Sequence, residues 1–107
     1  MNRMVQLIKE HFGQLEELCH RYSVKRLEVF GSAVHEERFD ADKKSDLDFL
    51  VEFDELEQGT PAKTYFGFLF ALQELFGREI DLVESGAIRN PYFLEMINRE
   101  RTAIYAA

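Results

Sequence analysis

Apolar residues recur at alternating steps of three and four over roughly the first fifth of the chain. The members of this stripe are Val5, Ile8, Phe12, Leu15, Cys19 and Tyr22. Such spacing places side chains on one face of a helix, because an α-helix completes a turn about every 3.6 residues. The pattern therefore predicts an amphipathic helix over roughly residues 2–22.

A short β-rich run at residues 27–30 follows and predicts a strand. It ends at Gly31 and Ser32, which are typical of a tight turn between two elements. Residues 33–45 are polar and charged. We expect a short helix there, followed by an exposed loop.

Two further segments predict strands that present carboxylates on one face. In residues 46–53, a mostly apolar face alternates with a face that begins with Asp46 and Asp48. In residues 79–83, Asp81 points away from the apolar residues on either side of it. Because side chains alternate between the two faces of a strand, the three carboxylates can meet if these strands are neighbours.

A helix is predicted over residues 61–76. Thr60 suits an N-cap before Pro61 at the first helical position, and Gly77 suits a C-cap. The apolar residues of this helix extend more than halfway round the helical wheel. Two interpretations remain open: an ordinary central helix, or a helix that also meets a second subunit or another partner in a homo- or hetero-oligomer.

The last helix is expected to begin after Asn90, at Pro91, and to continue to near the C-terminus. Its apolar side would consist of Phe93, Met96, Ile97, Ile104 and Tyr105. The order of helix, strand, turn, strand, helix, strand and helix indicates an α+β fold in which helices cover a small sheet. A single domain over residues 1–107 is expected.

Composition and charge narrow the class of protein. A hydrophobic fraction of 46% favours a globular domain over a disordered chain. Thirteen basic against twenty acidic residues give a net charge of -7, which opposes stable DNA binding but not a nucleotide held through metal ions. Cys19 is the only cysteine, and neither a leader peptide nor a membrane span is recognised, so a cytoplasmic protein without membrane contact is expected.

The carboxylates and the glycine turn together indicate a chemistry. Asp46, Asp48 and Asp81 would repel one another on converging, and divalent cations relieve such repulsion. Two ions about 3.5 to 4 Å apart stabilise both the attacking and the leaving oxygen of a phosphoryl displacement. Gly31 lets the backbone approach an anion closely, and Ser32 offers a hydroxyl donor to phosphate. These features predict metal-assisted nucleotidyl transfer.

Three stretches carry a resemblance to a known family. They are residues 27–32 (LEVFGS), 45–51 (SDLDFLV) and 79–83 (EIDLV). The chain resembles the minimal nucleotidyltransferases (MNT) of the DNA polymerase β superfamily over nearly its whole length, including residues 89–93 and 104–107. The resemblance implies the polymerase β-like nucleotidyltransferase fold, a small mixed sheet with helices packed on it.

The resemblance also implies a function and a partner. Asp46 and Asp48 would hold two Mg²⁺ ions, Asp81 would bind the catalytic metal and help deprotonate the acceptor, and Gly31 and Ser32 would hold the triphosphate of ATP. Members of the family are usually antitoxins of HEPN toxins, and some transfer AMP to a toxin tyrosine. We therefore expect a protein adenylyltransferase with a HEPN-type toxin as its partner.

Two departures from the family pattern concern nucleotide binding. Thirteen residues separate Ser32 from Asp46, more than is usual, and His35 stands where an arginine is common. Either a cation within residues 38–44 supplies that charge, or nucleotide binding is weaker than in relatives. A rival hypothesis also stays open, in which the chain is a non-catalytic binding module that neutralises its partner by contact through the helix at 61–76.

Overall fold

The computed structural model describes residues 6–34, 46–54 and 61–107. In chain order the elements are α1 (Gln6–Lys9), α2 (Phe12–Arg21), β1 (Val24–Phe30), β2 (Leu47–Phe53), α3 (Pro61–Phe76), β3 (Ile80–Glu84), α4 (Pro91–Glu100) and β4 (Thr102–Ala106). Short 3-10 turns occupy Gly31–Val34 and Ser85–Ala87. The predicted α+β class is confirmed.

The four strands form one mixed sheet in the order β3-β2-β1-β4. Strand β1 runs antiparallel to both β2 and β4, whereas β2 and β3 are parallel. Parallel strands need a crossover connection, and α3 lies in the segment that joins β2 to β3. This arrangement brings together the two strands that carry Asp48 and Asp81.

Each face of the sheet has its own apolar cluster. The larger cluster joins the inner side chains of β1, β2 and β3 to α1, α2 and α3, with Phe49 and Phe68 among its fully buried members. The smaller cluster contains Phe30 and Leu50, which Ile97 of α4 covers. The predicted alternation of β2 and β3 is therefore confirmed, and Asp48 and Asp81 lie on the face that α4 covers.

The N-terminal helix is interrupted, and the prediction of one helix over residues 2–22 was wrong for the described part. Helix α1 ends at Lys9, and α2 begins at Phe12. Between them His11 has a non-helical ψ of 15°, and its Nδ1 lies 2.8 Å from the Leu7 carbonyl oxygen. A side chain that bonds a backbone carbonyl of the preceding turn competes with the helical pattern.

The C-terminal segment was also predicted wrongly. Helix α4 ends at Glu100, Arg101 has extended backbone angles, and Thr102–Ala106 forms a strand on the edge of β1. Ile104 and Tyr105 therefore pack from a strand, against the larger cluster. The pairing with β1 favours a strand here, and such pairing depends on residues distant in sequence.

The bounds of α3 agree with the prediction, and Gly77 ends the helix with a φ of +63°. Asn90 caps α4 by accepting hydrogen bonds from the backbone N–H groups of Tyr92 and Phe93.

The N-cap predicted at Thr60, and the helix and loop predicted beyond Val34, lie outside the described residues, as do His35 and residues 38–44. Among the helices described, none has the length and apolar character needed to cross a bilayer.

Candidate active site

Asp48 and Asp81 occupy matching positions on adjacent strands. Strands β2 and β3 pair in parallel with Asp48 opposite Asp81. Directly paired residues face the same side of a sheet, so both side chains lie on the α4 face. The Leu47 N–H donates to the Glu79 carbonyl at 3.3 Å and fixes the start of β2 beside β3.

Asp46 completes what we call the carboxylate cluster (Asp46, Asp48 and Asp81). It precedes β2 by one residue and is exposed, and its charge acts on the Asp48 carboxyl group. Asp81 is exposed as well, whereas Asp48 is half-buried. The structure thus pairs Asp48 with Asp81 and places Asp46 near enough for its charge to act on Asp48.

The glycine turn (Gly31–Val34) lies directly against this cluster. Strand β1 ends at Phe30, which pairs with Asp48, and Gly31 follows with a φ of +73°. A Cβ atom built at Gly31 would overlap the Asp48 carboxylate oxygen and approach its Cγ to 3.2 Å. Position 31 therefore favours glycine for two reasons, the left-handed backbone and the space taken by Asp48. Ser32 follows within the same turn.

The environment of Asp48 raises its pKa to about 6. Burial is the largest cause, followed by the negative charges of Asp81 and Asp46 and by a hydrogen bond with the Asp81 side chain. Two carboxyl groups can share a hydrogen bond only when one holds a proton. The cluster therefore concentrates negative charge that a proton or a cation would neutralise.

The chemistry of these donors suits a hard divalent cation. Mg²⁺ prefers oxygen ligands and usually binds through one or two carboxylates, with water and substrate phosphates filling its remaining positions. Among the described residues, no three His, Cys, Asp or Glu side chains are arranged so that they could hold a metal ion together. The adjoining carboxyl groups of Asp48 and Asp81 fit the partial ligand set that Mg²⁺ takes beside a nucleotide.

Sequence reasoning missed two residues near the cluster. Glu100, at the end of α4, adds negative charge near Asp48. Beside it, Arg101 holds Glu28 of β1 through two hydrogen bonds of 2.5 and 3.0 Å. This pair fastens the end of α4 to the sheet. No local pattern marks the helix end at Glu100, because residues 102–106 do not alternate between polar and apolar side chains.

Tyr65 joins α3 to the strand that carries Asp81. Its hydroxyl donates a 2.5 Å hydrogen bond to the Leu82 carbonyl oxygen. Burial raises the pKa of this hydroxyl, and the charges of Asp81 and Glu84 raise it further. The contact secures β3, an outer strand of the sheet, in line with β2.

Three of the cavities lined by described residues, of about 270, 310 and 410 Å³, lie away from the cluster. One lies between α2 and α3, one lies beyond the far ends of β2 and β3, and one adjoins Gly77. None of the three is lined by Asp46, Asp48 or Asp81.

The sequence pattern of the nucleotidyltransferase domain family matches residues 13–104. The chain belongs to this family. The match runs from α2 into β4, so it includes the glycine turn and the whole carboxylate cluster. This nucleotidyltransferase is 37% identical over 95 residues to a candidate protein adenylyltransferase of Methanocaldococcus jannaschii. The aligned region covers 88% of this chain and 87% of the relative.

Solved structures of the same fold support the assignment. A candidate minimal nucleotidyltransferase superimposes with a TM-score of 0.67 and 29% identity, over 92% of this chain and 95% of the other. A chain from a Shewanella oneidensis complex of an MNT antitoxin with a tri-AMPylated HEPN toxin superimposes with a TM-score of 0.62 and 14% identity. The superposition covers 94% of this chain and 73% of the other. At that identity the likeness concerns the fold alone. The nucleotidyltransferase has the polymerase β-like fold of the minimal nucleotidyltransferases.

Proposed function

We propose that this nucleotidyltransferase transfers AMP from ATP to a hydroxyl group of a partner protein. The observation that carries the proposal is the pairing of Asp48 with Asp81 beside the glycine turn. Carboxylates next to a turn whose backbone can approach a phosphate are suited to a metal-bound nucleotide. Similarity to a candidate protein adenylyltransferase supports a protein acceptor.

Each member of the cluster has a role in this proposal. Asp46 and Asp48 would hold two Mg²⁺ ions, which would offset the charge of the triphosphate and of the cluster. Asp81 would also bind a metal ion, and its exposed carboxylate would accept the proton of the attacking hydroxyl. The half-buried Asp48 lies between the glycine turn and Asp81, so it positions the ligand set.

The nucleotide lies with its triphosphate against Gly31 and Ser32 in this proposal. The missing Cβ at Gly31 lets the Asp48 carboxylate lie directly against the turn, so the phosphates and the carboxylate cluster would be held side by side. The acceptor oxygen forms a bond to the α-phosphorus while the bond to the bridging oxygen breaks, and pyrophosphate leaves. The acceptor proton goes to Asp81, so the reaction consumes no further reagent.

We further propose that the acceptor is a tyrosine of a HEPN-type toxin, which would make this chain a cytoplasmic antitoxin. A neighbour of the same fold forms a complex with an AMPylated HEPN toxin. The net charge of -7 also favours a protein over a nucleic-acid acceptor, because a polyanion would be repelled.

Labelling in a lysate of the source cell tests the proposal. The chain is incubated with Mg²⁺ and α-labelled ATP, and the products are digested with protease or with RNase. We expect protease-sensitive label that disappears in the Asp46→Asn/Asp48→Asn variant. The matched control is Asp54→Asn/Glu84→Gln, which removes two carboxylates at the opposite ends of β2 and β3.

The outcomes separate the proposed function from its rivals. RNase-sensitive label would replace the protein acceptor with RNA. An absence of label above the background of the Asp46→Asn/Asp48→Asn variant, with other nucleotides also tried, would favour the non-catalytic binding module. In that case Asp48→Asn would still neutralise the partner, because contact alone would suffice.

A further inference from the structure

Two aromatic side chains of α3 face away from the sheet. Phe66 is 51% exposed and Phe70 is 60% exposed. Their rings stack with centroids 6.3 Å apart and an angle of 29° between planes. The inner face of the same helix is already buried, through Phe68 and Leu72. The outer pair, which we call the aromatic stripe (Phe66 and Phe70), is thus an apolar surface left to a partner.

The charges of α3 are placed against its own dipole. Among the residues Pro61–Phe76, only Lys63 and Glu74 are charged, and both are exposed. Lys63 stands near the N-terminus, where the helix dipole favours an acid, and Glu74 stands near the C-terminus, where it favours a base. The first turn has no acid and the last turn no base. Neither charge is therefore well placed within an isolated α3.

We infer that the aromatic stripe is the contact between two copies of this chain, with the two α3 helices antiparallel. A two-fold axis through the level of position 68 sets Phe66 of one copy against Phe70 of the other. The same axis brings Lys63 beside Glu74 of the second copy. The inference goes beyond the proposed function and does not depend on it.

Helical geometry supports this pairing of charges. At about 1.5 Å per residue, Lys63 lies about 7.5 Å to one side of position 68 and Glu74 about 9 Å to the other. At about 100° per residue, both lie on the same flank of the aromatic stripe, about 40° and 60° from its centre. In the antiparallel pair the two charges meet at nearly the same height. Each also approaches the end of the other helix whose dipole suits it.

Charge and position both favour a second copy as the occupant. The chain carries a net charge of -7, so two copies repel one another over much of their surface. Helix α3 carries one exposed cation and one exposed anion, so its charges sum to zero and are self-complementary, although Glu74 also lines the cavity between α2 and α3 with Arg21. It also lies on the side of the sheet opposite the carboxylate cluster, so a dimer formed there leaves both clusters accessible.

Sedimentation of the full chain over a range of concentrations tests the dimer. We expect the wild type to shift from the mass of one chain to that of two as concentration rises. The Phe66→Ser/Phe70→Ser variant should weaken the dimer at least about a hundredfold, because exposed aromatics dominate such contacts. Tyr92→Ser, which removes an 82% exposed aromatic of α4, is the control and should leave the dimer unchanged.

Charge reversal tests the antiparallel arrangement. Lys63→Glu and Glu74→Lys should each weaken the dimer about tenfold at low salt, because two symmetric pairs become repulsive at once. The double reversal should restore it. Far-UV circular dichroism checks that every variant remains folded.

Three results would overturn the inference. If the wild type stays monomeric at every concentration, the aromatic stripe does not join two copies of this chain and is available to a different partner. A dimer that survives Phe66→Ser/Phe70→Ser lies elsewhere on the molecule. The antiparallel pairing is excluded if each single reversal weakens the dimer and the double reversal does not restore it.

Discussion

The side chains of Asp48 and Asp81 hydrogen-bond to each other across neighbouring parallel strands. Below about pH 6 one of the two carboxyl groups holds a proton that a metal ion would displace. The two carboxylates cannot move apart to relieve their electrostatic repulsion, because β2 is held on both sides by its pairing with β1 and β3. A site of this kind is destabilised until its cation and nucleotide arrive.

The metal-free protein should therefore lose stability as the pH rises from about 4 to about 6. The Asp48 pKa is about 6 in the folded state, against about 3.9 in the unfolded chain. Between these values the folded state holds more protons, so its stability falls with rising pH and stays low above pH 6. With EDTA present, Asp48→Asn should raise the free energy of unfolding at pH 8 by about 2 kcal/mol, less than the full pKa difference would give, because solvent screens the partly exposed carboxylate.

The same substitution should have a much smaller effect at pH 4, where Asp48 of the folded wild type is already protonated. Urea unfolding at both pH values measures the difference. If Asp48→Asn raised the free energy of unfolding equally at pH 4 and pH 8, the negative charge of Asp48 would not be the cause of the gain.

Mg²⁺ should stabilise the wild type and not the Asp48→Asn variant. A ligand that binds only the folded state raises its stability by mass action, and the carboxylate cluster is the proposed site. Thermal unfolding with Mg²⁺ and a non-hydrolysable ATP analogue measures the shift in Tm. The Asp54→Asn/Glu84→Gln control should behave like the wild type, and a shift that persists in Asp48→Asn would place the ion elsewhere.

Gly31→Ala should impair both stability and transfer. Its backbone has a positive φ, and the added methyl group would overlap the Asp48 carboxylate. Gly77→Ala is a matched control, because Gly77 also has a positive φ but nothing within 4 Å of the new Cβ. Both variants should lose about 1 kcal/mol to the backbone.

The two glycine variants should differ in activity. Only Gly31→Ala should lose most of its transfer activity and a further part of its stability. Urea unfolding measures the stability of the two variants, and initial rates of AMP transfer measure their activity. Equal activity in the two variants would show that the close approach at Gly31 does not serve the site.

The sequence predicted those parts of the structure that local patterns determine. The bounds of α3 follow from its proline, its glycine and its apolar run. The faces on which Asp48 and Asp81 lie follow from an alternation that only Leu50 breaks, whereas the pairing of their strands comes from the structure. Strand β4 was missed because Ile104 and Tyr105 fit a helix as well as a strand. Their partner, β1, lies far away in sequence. The place of Glu100 was missed for the same reason.

Breaking the buried pair of Glu28 and Arg101 should destabilise the fold. Both side chains are largely buried, at 12% and 27% exposed. The hydrogen bonds to Glu28 raise the Arg101 pKa further above its usual range. Arg101→Met leaves the Glu28 charge buried and should cost about 2 to 4 kcal/mol in urea unfolding.

The double variant Glu28→Gln/Arg101→Met should recover part of that loss, since no buried charge remains. Arg21→Gln, which breaks an exposed pair with Glu17, is the control and should change stability by less than about 0.5 kcal/mol. If Arg101→Met behaves like Arg21→Gln, the pair does not fasten α4 to the sheet.

The most direct test of the proposed activity compares ATP labelled at the α-phosphate with ATP labelled at the γ-phosphate. Transfer of AMP predicts that the acceptor protein retains the α-label and never the γ-label, and that EDTA or Asp48→Asn abolishes the signal. Label from the γ-phosphate would indicate a kinase instead. An α-label that persists in Asp48→Asn would contradict the assignment of the site.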